Sequence, residues 1–187
     1  RTDLHLFQIA QSLHEDGYAI IEFPDADFAA KVEAIQLRLR DQYDWAAWKS
    51  GKIEGLRIQD AWQFDDNVKQ IAANAQIIEL LSQLYGKPAF PFQTLNFPVG
   101  TQQHYHTDCV HFSSIPERFM CGVWVAFEDV HPDAGPLIYY PGSHKLPIYH
   151  HEHVGTVPYY TGAPYGAYPE FIKFWQQLVN AQQLKPI

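Results

Sequence analysis

The chain opens on a helical rhythm. Leu4, Phe7, Ala10 and Leu13 recur at three-residue intervals and predict a helix from Thr2 to about His14, which Gly17 stops. The run Tyr18-Ala19-Ile20-Ile21-Glu22-Phe23 reads as a strand ended by Pro24. Phe28, Val32, Ile35 and Leu39 share one face of a second helix, from Asp27 to about Asp41. Val68, Ile71, Ala75, Ile78 and Leu81 predict a third, from Asp66 to Leu84, with Gly86 and Pro88 beyond it. From Phe90 the period shortens. Phe90 to Phe97, Gln103 to Asp108, Phe119 to Phe127 and Leu137 to Tyr140 read as strands, divided by Pro98-Val99-Gly100, Pro132-Asp133-Ala134-Gly135 and Pro141-Gly142-Ser143. A loop rich in Tyr, Gly and Pro, from His150 to Tyr168, precedes a last helix from Pro169 to about Gln183. Helices first and strands later predict an α+β fold, mainly a β core of sandwich or barrel type with helices outside it. Neither a repeat nor a linker divides the chain, so residues 1–187 are expected to form a single domain.

Composition narrows the function classes. With 47% hydrophobic and 18% charged residues, the chain has the makings of a globular core rather than of disorder. A net charge of −8 argues against nucleic acid, whose phosphates need clustered Lys and Arg. No apolar run is long enough for a bilayer. Cys109 and Cys121 make no disulfide framework, so a reduced, cytoplasmic setting is expected. An aromatic share of 15% suits a lined pocket for a small molecule. Oligomeric state is not readable.

Most of the ten histidines fall in the second half of the chain. The segment of interest is Gln102-Gln103-His104-Tyr105-His106-Thr107-Asp108. On a strand, residues two apart share a face, so His106 and Asp108 project together. An imidazole beside a carboxylate suits a divalent metal, and two histidines with one carboxylate typify non-haem iron oxygenases. The triplet alone more readily describes a surface or core histidine hydrogen-bonded to a nearby aspartate. Zinc also accepts His and Asp with an open position, which makes a zinc hydrolase an alternative. His104 shares the face of His106 and Asp108, as a core or pocket-lining residue. Cys109 faces away. His150, His151 and His153 read as a solvated loop cluster.

The surroundings add a resemblance. Gln93-Thr94-Leu95-Asn96-Phe97, His106-Thr107-Asp108, the run from Val123 to Asp129, Gly135-Pro136-Leu137 and Pro141-Gly142-Ser143-His144-Lys145 occur in that order. With Asp16 to Ile21 and Arg57-Ile58-Gln59-Asp60 they resemble the phytanoyl-CoA dioxygenase family of iron(II)- and 2-oxoglutarate-dependent oxygenases. The resemblance implies a double-stranded β-helix, a cupin-like jelly roll with flanking helices. It implies Fe(II), 2-oxoglutarate as cosubstrate, O₂, and hydroxylation of a small molecule whose identity is not readable. His106 and Asp108 match the family's first histidine and its carboxylate, as metal ligands and catalytic residues. Trp124 matches a position lining the 2-oxoglutarate pocket, and Arg57, Gln93 and Leu95 fall at or beside cosubstrate contacts. Relatives that halogenate replace the carboxylate with a small residue, so Asp108 points to hydroxylation. The element holding His144 is a turn in the family rather than a ligand site. The second iron-binding histidine and a basic residue for 2-oxoglutarate are expected beyond Ile187, on strands this chain would then lack. A catalytically inactive jelly-roll binding module is the other reading. Tyr139, Tyr140, Tyr149, Tyr159, Tyr160 and Tyr165 suggest an aromatic, partly polar mouth.

Overall fold

The computed structural model describes residues 2–101, 103–112, 114–156 and 168–187. Its elements are α1 (Thr2–Glu15), α2 (Phe28–Leu39), α3 (Trp45–Lys49), β1 (Ile58–Gln59), α4 (Asp66–Ala72), α5 (Ala75–Tyr85), β2 (Leu95–Asn96), α6 (His151–Val154) and α7 (Tyr168–Ala181), joined by single 3₁₀ turns and extended chain. No helix among the described residues is long and apolar enough to cross a membrane. The chain divides into two compact units. One comprises Ile21–Gln102 and Val123–Pro136; the other comprises Arg1–Ile20, Gln103–Gly122 and Leu137–Ile187.

The first of these units has the helical core. Val32, Ile35 and Leu39 form the buried stripe of α2, and Val68 and Ile71 that of α4. Ile35, Leu39, Ala61, Val68 and Ile71 pack into one cluster, ringed by Phe23, Phe28, Ile58, Trp62, Val125 and Phe127 among others. Each large aliphatic group so buried stabilises the unit by about 1.5–3 kcal/mol. The start of α4 is fixed by Asp65, only 3% exposed, whose carboxylate accepts from the Val68 amide at 2.9 Å and pairs with Arg38 Nε at 3.3 Å. A buried carboxylate without such partners would strongly destabilise the fold. The helix expected from Asp66 to Leu84 is two helices. Asn74 interrupts it: its side chain accepts from the Gln76 and Ile77 amides, capping α5, and donates to the Pro24 carbonyl at 3.2 Å. Gly86, at φ 63°, ends α5 in the left-handed conformation that glycine tolerates best.

β1 and β2 form an antiparallel ribbon with Ile58 opposite Asn96 and Gln59 opposite Leu95. Asp60 extends the pairing: its amide donates to Thr94 O at 2.8 Å and its carboxylate accepts from Thr94 N at 3.1 Å. Among the described residues this ribbon is the part of the expected β core that forms a ladder. Of the segments read as strands, only Leu95–Asn96 enters a ladder, and its partner was not read as one. Tyr18 to Phe23, Gln103 to Asp108, Phe119 to Phe127 and Leu137 to Tyr140 contain no ladder strand among the described residues. Alternation along a segment supplies two faces, but a strand also needs a neighbour to take its N–H and C=O groups. One such neighbour is hinted at in the other unit: Tyr139 and Ile187 exchange both backbone hydrogen bonds, at 2.9 and 3.2 Å.

In that unit, α1 ends against the turn at 141–145. The Gly142 amide donates to Asp16 O at 2.9 Å, the Tyr139 hydroxyl donates to Gly17 O at 3.2 Å, and His144 Nε2 lies 3.0 Å from His14 O. A carbonyl only accepts, so Nε2 carries the proton. Gly17 sits at φ 89°, and a Cβ there would collide with the Tyr139 hydroxyl and the His144 ring. The element holding His144 is thus a turn, as the resemblance implied. α7 buries Phe171 and Trp175, and α6 rests on it through His151 against Phe171, with ring centroids 5.2 Å apart.

Candidate metal centre

His106 ends an extended run, and Asp108 opens a 3₁₀ turn, Asp108–Val110, whose first amides are met by the Thr107 side chain accepting from Cys109 N at 3.4 Å. His106 Nδ1 lies 2.8 Å from His104 O. The carbonyl requires a proton on Nδ1, which leaves Nε2 to face Asp108. Fixing one imidazole nitrogen by a backbone carbonyl is the usual way a metal-binding histidine is aimed. His106 Nε2 and Asp108 Oδ1 stand 3.4 Å apart. Two donors each about 2.1 Å from one ion, at ordinary ligand angles, are about 3.0–3.4 Å apart, so the pair fits a shared cation.

The electrostatics agree with a coupled pair. The hydrogen bond from His106 holds the Asp108 carboxyl below its ordinary range, against the opposing effect of burial, with a smaller contribution from His111. The hydrogen bond to Asp108 raises the His106 value, with burial opposing and the His104 carbonyl assisting. Without a metal the two groups satisfy each other; an ion would displace the proton shared between them.

Three residues near the pair went unnoticed in the sequence. The turn after Asp108 brings the His111 amide to 2.9 Å from Asp108 O, and its ring lies 5.7 Å from that of His106. Two α7 residues seven apart complete an aromatic wall: Trp175, 6.4 Å from the His106 ring, and Tyr168, 5.2 Å from that of His111. Burial raises the Tyr168 phenol, and the Asp108 charge adds to this. A histidine three residues past the carboxylate was the available signal for His111. Nothing local ties α7 to this segment. Among the described residues, no group of three or more His, Cys, Asp or Glu side chains converges as a metal set.

The other sequence-derived site residues, Arg57, Gln93, Leu95 and Trp124, belong to the unit with the helical core. Ile58, Val125 and Phe127 pack towards the core. In the ribbon Leu95 stands opposite Gln59, both exposed; Arg57 is exposed and Gln93 half-buried. Trp124 is 57% exposed and Leu95 39%. Arg57 makes no hydrogen bond or ion pair among the described residues.

Two smaller expectations are revised. His150, His151 and His153 are not on a loop: His150 caps α6 and the other two lie in it, His150 and His153 are exposed as expected, His150 Nε2 meets Glu117 Oε1 at 3.0 Å, and His151 packs on α7. Of the tyrosines assigned to a mouth, Tyr139 packs on Tyr18, Tyr140 on Tyr105 and Tyr149 on Phe174. Tyr159, Tyr160 and Tyr165 lie outside the described residues.

A comparison with family models matches residues 13–180 to phytanoyl-CoA dioxygenase (PhyH). No curated protein and no solved structure gives a match.

Proposed function

Because the chain belongs to the phytanoyl-CoA dioxygenase family, we propose that it is an iron(II)- and 2-oxoglutarate-dependent oxygenase that hydroxylates a small molecule, with His106 and Asp108 as two ligands of the metal. The observation that carries the reading is the 3.4 Å approach of His106 Nε2 to Asp108 Oδ1, with Nδ1 already engaged by the His104 carbonyl. A bound ferrous ion would supply O₂ activation coupled to decarboxylation of 2-oxoglutarate.

The chain's own residues have separable tasks in this reading. His106 gives a neutral donor once its Nε2 proton leaves. Asp108 gives the anionic donor that offsets the ion's charge, and its retention favours hydroxylation over halogenation. Trp175, Tyr168 and His111 wall the pair on one side and limit water there. Arg57, which makes no ion pair among the described residues, suits a carboxylate of the cosubstrate, with Gln93, Leu95 and Trp124 as its further contacts.

The test is anaerobic titration of the purified full-length protein with iron(II) and 2-oxoglutarate, read by calorimetry and by the visible charge-transfer absorption. The expected result is binding of both, with Asp108→Ala weakening iron by at least about 10-fold. Succinate formation in the presence of O₂ and ascorbate should fall in parallel. Binding of neither iron nor 2-oxoglutarate would overturn the reading.

A further inference from the structure

One face of α2 and the chain at 126–129 border an open groove of about 470 Å³ in the unit with the helical core. That volume lies in the range of small-molecule sites. Phe28, Ala29, Val32, Ala126 and Phe127 line it together with three acidic residues, Glu33, Glu128 and Asp129. Among the described residues, no Lys or Arg lines it. The two basic residues of α2 are engaged elsewhere, Lys31 with Asp25 at 2.6 Å and Arg38 with Asp65 at 3.3 Å. The three rim carboxylates make no ion pair among the described residues.

We propose that this groove is a binding site for a small organic cation with an apolar body, of the alkylated or aryl ammonium class. Two independent features select that chemistry. The rim concentrates negative potential beside a low-dielectric wall, which attracts a cation and repels an anion. The floor is apolar and includes an aromatic ring: Phe127 packs edge-on against Phe28 with centroids 6.1 Å apart. Aromatic and aliphatic walls accept the body of an organic ammonium ion, whereas a hydrated metal ion has nothing to gain from them. Val32, at 7% exposure, gives the groove a floor anchored in the packed core. The site involves neither His106 nor Asp108, so it stands or falls apart from the oxygenase reading.

The experiment is an amide-shift NMR titration of the metal-free chain with benzyltrimethylammonium, benzyl alcohol and benzenesulfonate. The ammonium ion should give saturable shifts centred on α2 and residues 126–129. Benzyl alcohol should bind about fivefold more weakly and benzenesulfonate at least about tenfold more weakly. Ala29→Trp should fill the groove and abolish the response. Because that change also acts on α2 itself, the surface double variant Glu128→Gln with Asp129→Asn provides a second measure. It should weaken the ammonium ion about fivefold and leave benzyl alcohol unchanged. Shifts elsewhere, equal affinity for the three probes, or an unaffected double variant would each overturn the proposal.

Discussion

Ile35 and Leu39 are each 1% exposed, whereas the side chain of Asp108 is 53% exposed and that of His106 23%. The first pair belongs to a cluster of aliphatic side chains contributed by helices and a 3₁₀ turn. The second pair is held by a hydrogen bond, a backbone carbonyl and a wall of rings. Stability in the α2–α4 core comes from apolar area removed from water, while the His106–Asp108 segment keeps polar donors accessible and contributes little to folding. The two regions should therefore respond to substitution in opposite ways, one in stability and the other in chemistry.

The largest stability effect is expected at Leu39. Leu39→Ala should cost about 2–5 kcal/mol in denaturant unfolding, because the groups around it cannot collapse fully into the space left. A loss below about 1 kcal/mol would break the contrast at its stronger end. Next comes Asp65→Ala, which removes the α4 cap. The cap alone is worth about 1 kcal/mol, and Arg38, with a side chain 59% exposed, finds water instead, so its ion pair adds little.

Asp108→Ala should barely move the midpoint at neutral pH but should alter how stability depends on pH. The His106 value is raised, so its share of stability is present below the ordinary histidine range and is lost as pH climbs through the raised value. The Asp108 value is lowered, so its share is present above the ordinary carboxylate range and is lost as pH falls through the lowered value. Stabilisation by the pair thus fills the window between the two, so the variant should lose a little stability inside it and lose the pH dependence at its two edges. Metal binding follows the opposite slope at the histidine end, strengthening as pH rises and the His106 proton leaves. Iron affinity that falls between pH 6 and pH 8 would contradict this. Trp124→Ala should have the smallest effect on stability, within about 0.5 kcal/mol for so exposed a ring. Under the proposed function it should weaken 2-oxoglutarate while leaving iron binding alone, which calorimetry can separate.

The same contrast explains what the sequence disclosed. Helix α2 could be read from Phe28, Val32, Ile35 and Leu39 because a helix makes its hydrogen bonds within a few residues of itself. The break at Asn74 was also legible in principle, since asparagine is a strong N-cap, but the apolar period ran through it and was followed instead. Strands depend on partners distant in sequence, and nothing local marks Ile58–Gln59 as the partner of Leu95–Asn96. His106 and Asp108 were found because their chemistry lies in adjacent residues. The meeting itself owes less to strand alternation than expected, since Asp108 already belongs to a 3₁₀ turn. Trp175 and Tyr168 were beyond reach, for their closeness to His106 and His111 is a product of tertiary packing.

The junction of α1 with the turn at 141–145 has a consequence for kinetics. Tyr139 and Gly17 are 122 residues apart, and His144 and His14 are 130 apart. Closing so long a loop has a large entropic cost before any contact is made, so this junction should assemble after the rate-limiting step of folding. Gly17→Ala introduces a Cβ at a positive-φ position already filled by Tyr139 and His144. In stopped-flow experiments it should leave the refolding rate nearly unchanged and accelerate unfolding, concentrating its whole effect in how long the native state survives.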